Sequence, residues 1–261
     1  MIRYICLVLG ILISGCGNAG PSEASPDESY PKLDSSTTTQ SVDISPTEVD
    51  TLPLTILNKD TSELERSLIS QNLINIQKLD PEIRVDLKYS TEDNFLHEDV
   101  YGSLERCYLQ KEVALMLSKA QRLLKAEHPE LNLLIYDGVR PRLVQMKMWD
   151  IVKGTPQQNY VAPPTSGSMH NYGAAVDLGL IHDDGTVIDM GTTFDFFGPL
   201  AQPRYEEKYL RSGALTLDQA QNRWILRRVM KEAGFHIILS EWWHFNAFER
   251  KETRTKYKLV E

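Results

Sequence analysis

Between Gly17 and Asp50 the chain devotes 34 residues to 15 Ser, Thr or Pro side chains and seven acids, with Lys32 the only base. Such a stretch cannot bury enough apolar surface to offset the entropy of ordering it, so residues 16–50 are expected to be a disordered acidic tether. Any fold is therefore confined to residues beyond 50. Residues 51–74 are an ambiguous linker with room for a short helix near Ser62 to Ile69, and 75–261 is long enough for one domain with its own core. The formal charge of the whole chain is −8, but residues 51–261 hold 26 bases against 29 acids, or −3. The acidity thus belongs mainly to the tether. The net negative balance argues against a nucleic-acid binder, which needs a basic face, and the nearly neutral domain suits a small anionic or zwitterionic ligand recognised by a few placed charges.

Ahead of the tether, Arg3 precedes an apolar run from Ile5 to Ile13 and then Ser14-Gly15-Cys16. The run is shorter than the ~20 residues a membrane-spanning helix needs, and it reads as the core of a signal peptide over residues 1–15. Ile13-Ser14-Gly15-Cys16 resembles a bacterial lipobox, in which Cys16 would be lipidated and become the new N-terminus. The alternative is an ordinary secretory signal cut nearby. Both export the protein, and acyl chains on Cys16 would anchor it to a membrane. Of the three cysteines, Cys6 leaves with the signal and Cys16 is blocked. Cys107 is left without a disulfide partner. Beside the apolar stretch that starts at Tyr108 it reads as a small buried residue.

From Leu79 onward the pattern is globular. Ile83, Val85, Leu87 and Tyr89 alternate with polar residues as in a half-buried strand. Gln110 to Glu127 carries apolar residues at helical spacing and stops before Pro129. Leu131 to Tyr136 reads as a buried strand, Leu143 to Val152 as a helix, and 154–168 as a Pro/Gly/Ser-rich loop. Asp184-Gly185 supplies the turn of a hairpin between Ala174–Ile181 and Thr186–Met190. Thr216 to Gln219 forms a capping box for a helix that Gly234 ends, and Phe235 to Leu239 is a further strand. Without a sustained βαβ rhythm, this order predicts an α+β fold with a mainly antiparallel central sheet flanked by helices.

Three short segments carry chemistry. In Ser168-Met-His170-Asn-Tyr-Gly173-Ala-Ala-Val-Asp177, His170 and Asp177 are too far apart on a straight strand to share an ion, at about 3.3 Å per residue. A bend supplied by Gly173 would bring them together. Glu241-Trp-Trp-His244 offers a second imidazole, so that two histidines and one carboxylate would leave an open position on a tetrahedral zinc. Glu241 then remains as a carboxylate placed to take a proton from water. Arg140, in Asp137-Gly-Val-Arg140-Pro141, is the cation able to meet an oxyanion. Singly each segment is common: His-x6-Asp is usually surface decoration, Trp242, Trp243 and Phe245 are mostly packing, and Arg140 alone would be a structural ion-pair partner. His97, His128, His182 and His236 have no acid or cysteine at ligand spacing and read as ordinary.

Taken together, the segments resemble the zinc D-alanyl-D-alanine dipeptidases, the VanX-type branch of the D,D-peptidases. Tyr89-Ser-Thr-Glu-Asp-Asn-Phe95, Asp189-Met-Gly-Thr-Thr-Phe-Asp195 and Ala220-Gln-Asn-Arg223 extend the likeness, in the family's order, over about residues 75–250. The resemblance implies a single zinc-peptidase domain of the D,D-peptidase/Hedgehog-like type, with one zinc on His170, Asp177 and His244. It further implies Glu241 as general base and Arg140 as stabiliser of the tetrahedral intermediate. Ser168 and Tyr89 would lie at the substrate's amino end, and Asp195 would support them. The implied substrate is the free dipeptide. The signal and tether depart from the resistance-associated members, which are cytosolic, and favour clearance or recycling of cell-wall dipeptide. Two other functions fit the same residues: a D,D-carboxypeptidase trimming peptidoglycan stems, and a non-catalytic zinc-bearing cell-wall-binding lipoprotein. A binder needs the ligands but not Glu241.

Overall fold

A computed structural model describes residues 62–261; the signal segment, Cys16 and the tether lie outside the described residues. Ser62 caps the first helix through its side chain, which accepts from the Glu65 amide, and starts α1 (Glu63–Ser70). The next elements are β1 (Ile74–Asn75), α2 (Ile76–Leu79) and β2 (Arg84–Val85). After them come β3 (Tyr108–Leu109), α3 (Lys111–Glu127), β4 (Leu131–Asp137) and α4 (Arg142–Val152). The chain continues through β5 (Ala175–His182), α5 (Glu206–Ser212) and α6 (Leu217–Ala233). It closes with β6 (His236–Ile237), β7 (His244–Asn246) and α7 (Arg250–Lys256). Leu68 and Leu73 sit in the core, so packing begins ahead of residue 75.

The main sheet has the order β2-β4-β5-β7-β6, and β1 pairs with β3 in a small separate ladder. The class is α+β, but the sheet is mixed: β2 runs parallel to β4, whereas β4–β5, β5–β7 and β6–β7 are antiparallel. The mainly antiparallel expectation misses this parallel edge. The pairing is set by a partner about 50 residues away, and the alternation from Ile83 to Tyr89 is strand only at Arg84–Val85 before it tightens into a 3-10 turn at Lys88–Ser90. The expected hairpin keeps its turn, with Gly185 at φ 90° and the His182 amide donating to the Thr186 carbonyl. Its second arm is reduced to a single bridge between Ile181 and Val187.

Every residue of β4 is buried, which its short apolar sequence requires. α3 packs on β4 and on α6. Gln121, fully buried on α3, joins helix to sheet by donating to the Asn132 side chain at 2.9 Å and accepting from the Leu133 amide at 2.9 Å. α6 has the capping box and left-handed Gly234 stop that its sequence announces. Cys107 is buried, as expected, and burial raises its thiol pKa, so it is inert. Among the described residues no helix is long and apolar enough to cross a membrane.

Candidate active site

The bend expected after His170 is real. Met169–Tyr172 forms a 3-10 turn, opened by a Ser168–Asn171 capping box and closed by Gly173 at φ 62°. A Cβ on Gly173 would lie 3.2 Å from Leu73 Cδ2 and 3.3 Å from the Gln110 amide nitrogen, so conformation and space both call for glycine. The turn carries His170 back over β5, where Asp177 pairs in register with Asp137 of β4 and with His244 of β7. His170 Nε2 then lies 3.3 Å from Asp177 Oδ2 and 3.2 Å from His244 Nδ1, and His244 Nδ1 is 2.9 Å from Asp177 Oδ1.

These three residues offer one ligand atom each, all within 4.8 Å of one another, and are the one such group among the described residues. The outer nitrogens are already committed. His170 Nδ1 donates to the Gly138 carbonyl at 2.7 Å, and His244 Nε2 donates to Asn246 Oδ1 at 2.9 Å. His170 Nε2 and His244 Nδ1 are thereby turned inward, the orientation a metal-ligating imidazole takes from its outer partners. Two imidazole nitrogens and a carboxylate oxygen suit a divalent transition ion with an open coordination position. The site therefore fits a metal. Burial opposes the Asp177 charge, yet the two imidazoles hold its carboxyl well below the usual carboxylate range. Burial would likewise lower His244, but its bond to Asp177 and the nearby Glu241 raise it to about 9.

Arg140 is held rather than loose. Its Nε and Nη2 donate to Asp137 Oδ2 at 3.0 and 2.6 Å, and Nη1 donates to Gln145 Oε1 at 3.2 Å. Asp137 is fully buried and also accepts from Tyr101 Oη at 2.6 Å and from the Gly138 amide at 2.9 Å. Gly138 is obligatory here, since a Cβ would sit 2.5 Å from Cys107 Sγ. Arg140 is thus a structural ion-pair partner and a wall of the site as well: Nη2 lies 4.0 Å from Asp177 Oδ2, and the guanidinium stacks 5.2 Å from the Tyr89 ring centre.

Tyr89 brings Asp195 into the same wall, donating to Asp195 Oδ2 at 2.8 Å. Asp195 occupies a left-handed conformation at φ 56°, rare for a residue with a Cβ and often stored at functional sites. Burial, together with the Asp177 and Glu241 carboxylates, pushes its carboxyl well above the usual range against the Tyr89 bond. Two motifs that look unrelated in sequence meet to hold this loop: Gln219 and Asn222 donate to Asp189, and Arg223 donates to the Met190 and Leu200 carbonyls.

Glu241 lies in the loop between β6 and β7, not at a strand end as the sequence suggests, because Phe235–Leu239 is strand only at His236–Ile237. It makes no hydrogen bond or ion pair among the described residues, and burial raises its carboxyl above the ordinary value. Trp242, Trp243 and Phe245 are core, as expected. Glu241 lines a cavity of about 200 Å³ together with Tyr89, Ser168, Asp195 and the His170–Asp177–His244 cluster. That is below the ~300–1,000 Å³ of drug-sized ligand pockets. The Ser168 hydroxyl lines the cavity while accepting from the His170 amide at 3.3 Å.

Sequence reasoning passes over four residues that shape the site. Asp137, Gln145 and Asn246 work by fixing Arg140 and His244, which lie only two to five residues away, and Asn94 by fastening loop carbonyls. Asn94 fastens the Tyr89–Phe95 segment by donating to the carbonyls of Lys88, Thr91 and Glu98. Only Asp137 leaves a signal, as a buried acid three residues before an arginine.

An inward-facing His-Asp-His set, an unpaired carboxyl and a fixed guanidinium around a small cavity on an α+β scaffold define a metallopeptidase. Residues 69–259 match the M15 peptidase family described as D-Ala-D-Ala dipeptidase. The chain belongs to that family. It is 32% identical over 173 residues to the D-alanyl-D-alanine dipeptidase of Escherichia coli (strain K12), covering 66% of this chain and 83% of that protein. It is also 32% identical over 197 residues to that of Enterococcus faecalis, covering 68% and 92%. The corresponding Enterococcus faecium protein is 31% identical over 182 residues, covering 62% and 85%.

Proposed function

We propose that the chain is a zinc enzyme that hydrolyses D-alanyl-D-alanine to two D-alanines, exported as a lipoprotein through Cys16 and serving turnover or recycling of cell-wall dipeptide. The observation that carries this reading is that the His170–Asp177–His244 cluster and Glu241 line one cavity of about 200 Å³. His170 Nε2, His244 Nδ1 and an Asp177 oxygen would hold the ion, which when bound acidifies a water and polarises a carbonyl. The set of two nitrogens and one oxygen, with room for a fourth ligand, favours zinc.

The chain's own residues do the rest. Glu241, with its carboxyl raised by burial, accepts the proton of the attacking water and returns it to the leaving nitrogen. Arg140, its orientation fixed by Asp137 and Gln145, meets the negative charge that develops on the carbonyl oxygen, at no reorganisation cost during reaction. Asp195 with Tyr89 and Ser168 takes the substrate's ammonium group. The export signal gives weight to a D,D-carboxypeptidase acting on wall peptides, and the small cavity weighs against it. Glu241 weighs against a pure binder.

The test is D-alanine release from D-alanyl-D-alanine before and after chelation, with zinc added back. Loss on chelation and recovery with zinc supports the reading. No release by the metal-replete protein overturns it.

A further inference from the structure

A zwitterionic dipeptide needs a cation for its carboxylate, and of the two arginines lining the cavity, Arg140 is already committed to Asp137 through two bonds. The other is Arg250, the first residue of α7, which the proposed roles leave unused. Its Nη1 donates to the carbonyls of Ser166 at 3.4 Å and Gly167 at 3.1 Å, immediately before Ser168. Among the described residues it pairs with no carboxylate. Two neutral acceptors aim the guanidinium without neutralising it, so its charge remains available to an anion.

Position agrees with charge. Tyr89, Asp195 and Arg140 form one connected wall. Arg250 makes no bond to that wall among the described residues; it is held by Gly167 and lines the cavity together with Asn246, which holds His244. An acid that the reading gives to the ammonium and an uncompensated arginine thus line one cavity, matching in sign the two charged ends of a short peptide. We propose that Arg250 binds the free α-carboxylate of the substrate and is a specificity residue for substrates with an unblocked C-terminus. This rests on the dipeptidase reading, and adds a residue that the family-matching motifs do not include.

The test compares D-alanyl-D-alanine with its C-terminal amide, using wild type, Arg250→Gln and Arg254→Gln. Arg254 also donates to the Ser166 carbonyl but does not line the cavity, so it controls for loosening of that loop. Wild type is expected to favour the acid. Arg250→Gln is expected to lose about 10- to 100-fold in kcat/KM on the acid, mostly through KM, as for removal of a charged hydrogen bond. It should leave the amide nearly unchanged, with metal content intact. Arg254→Gln should keep the wild-type preference. An acid-to-amide ratio in Arg250→Gln equal to wild type overturns the proposal while leaving the dipeptidase reading in place. Equal loss of preference in both variants also overturns it, since the loop and not the charge would then be responsible. If wild type cleaves neither compound, the dipeptidase reading fails and takes this proposal with it.

Discussion

Asp177 and His244 stand opposite each other in the β5–β7 register, with Asp177 Oδ1 2.9 Å from His244 Nδ1. The backbone ladder of two strands therefore sets the spacing of two candidate ligands, and only the third, His170, depends on a turn. A carboxylate and an imidazole so close share a proton in the metal-free protein, and a metal at the site must displace it.

That proton makes metal affinity depend on pH. His244 is raised to about 9 from its ordinary 6.5. In the metal-free protein its pairing therefore adds stability that is fully present below about 6.5 and is lost as pH rises through 9. Metal competes with the same proton, so the apparent zinc affinity should rise about tenfold per pH unit through this window. Calorimetric titration in buffers of different ionisation enthalpy should detect close to one proton released near pH 7. Affinity independent of pH would mean that His244 is not the displaced group.

Glu241→Gln should keep its zinc and lose about 10²- to 10⁴-fold in kcat, the range for a positioned general base. Because burial raises the Glu241 carboxyl, the acid limb of the wild-type rate profile should fall above the ordinary carboxylate range. Metal analysis alongside steady-state rates separates the two effects, and an unimpaired variant removes Glu241 from the mechanism. His244→Ala, by contrast, should lower zinc stoichiometry itself.

Asp137→Asn strips the buried Arg140 of its charged partner. Breaking such a pair by removing one member typically costs about 3–5 kcal/mol, so the urea midpoint should fall sharply. Arg140 would also lose its aim, and turnover should fall with little change in metal content. A midpoint equal to wild type would show that the ion pair contributes nothing net.

Gly173→Ala introduces a Cβ where φ is 62° and Leu73 and Gln110 crowd the position. We expect at least ~1 kcal/mol of lost stability from the left-handed backbone alone. Because the turn positions His170, zinc affinity should weaken too. Retained affinity in a destabilised variant would show that the His170 turn tolerates the shift.

What the sequence made legible was what repeats along the chain or sits at a fixed spacing. The helical periodicity of α3, the capping box and glycine stop of α6, and the glycine bend after His170 are local and appear where expected. The parallel pairing of β2 with β4 was illegible because it depends on a distant partner, and β2 is only two residues long. The same holds for the site. Histidine and acid spacing exposed the cluster, but Gln145 and Asn246, five and two residues from the Arg140 and His244 they hold, act through side-chain directions that spacing does not reveal. The clasp between Asp189 and α6 spans 30 to 33 residues and carries no local signature.

The proposal that the site takes a dipeptide in preference to longer peptides is tested most directly by kcat/KM of the zinc-loaded protein on D-alanyl-D-alanine against a longer peptide ending in D-Ala-D-Ala. The cavity of about 200 Å³, bounded by Tyr89, Asp195 and Phe197, predicts turnover of the dipeptide and little or none of the longer peptide. Preferential cleavage of the longer peptide would contradict the dipeptidase reading and make the protein a D,D-carboxypeptidase.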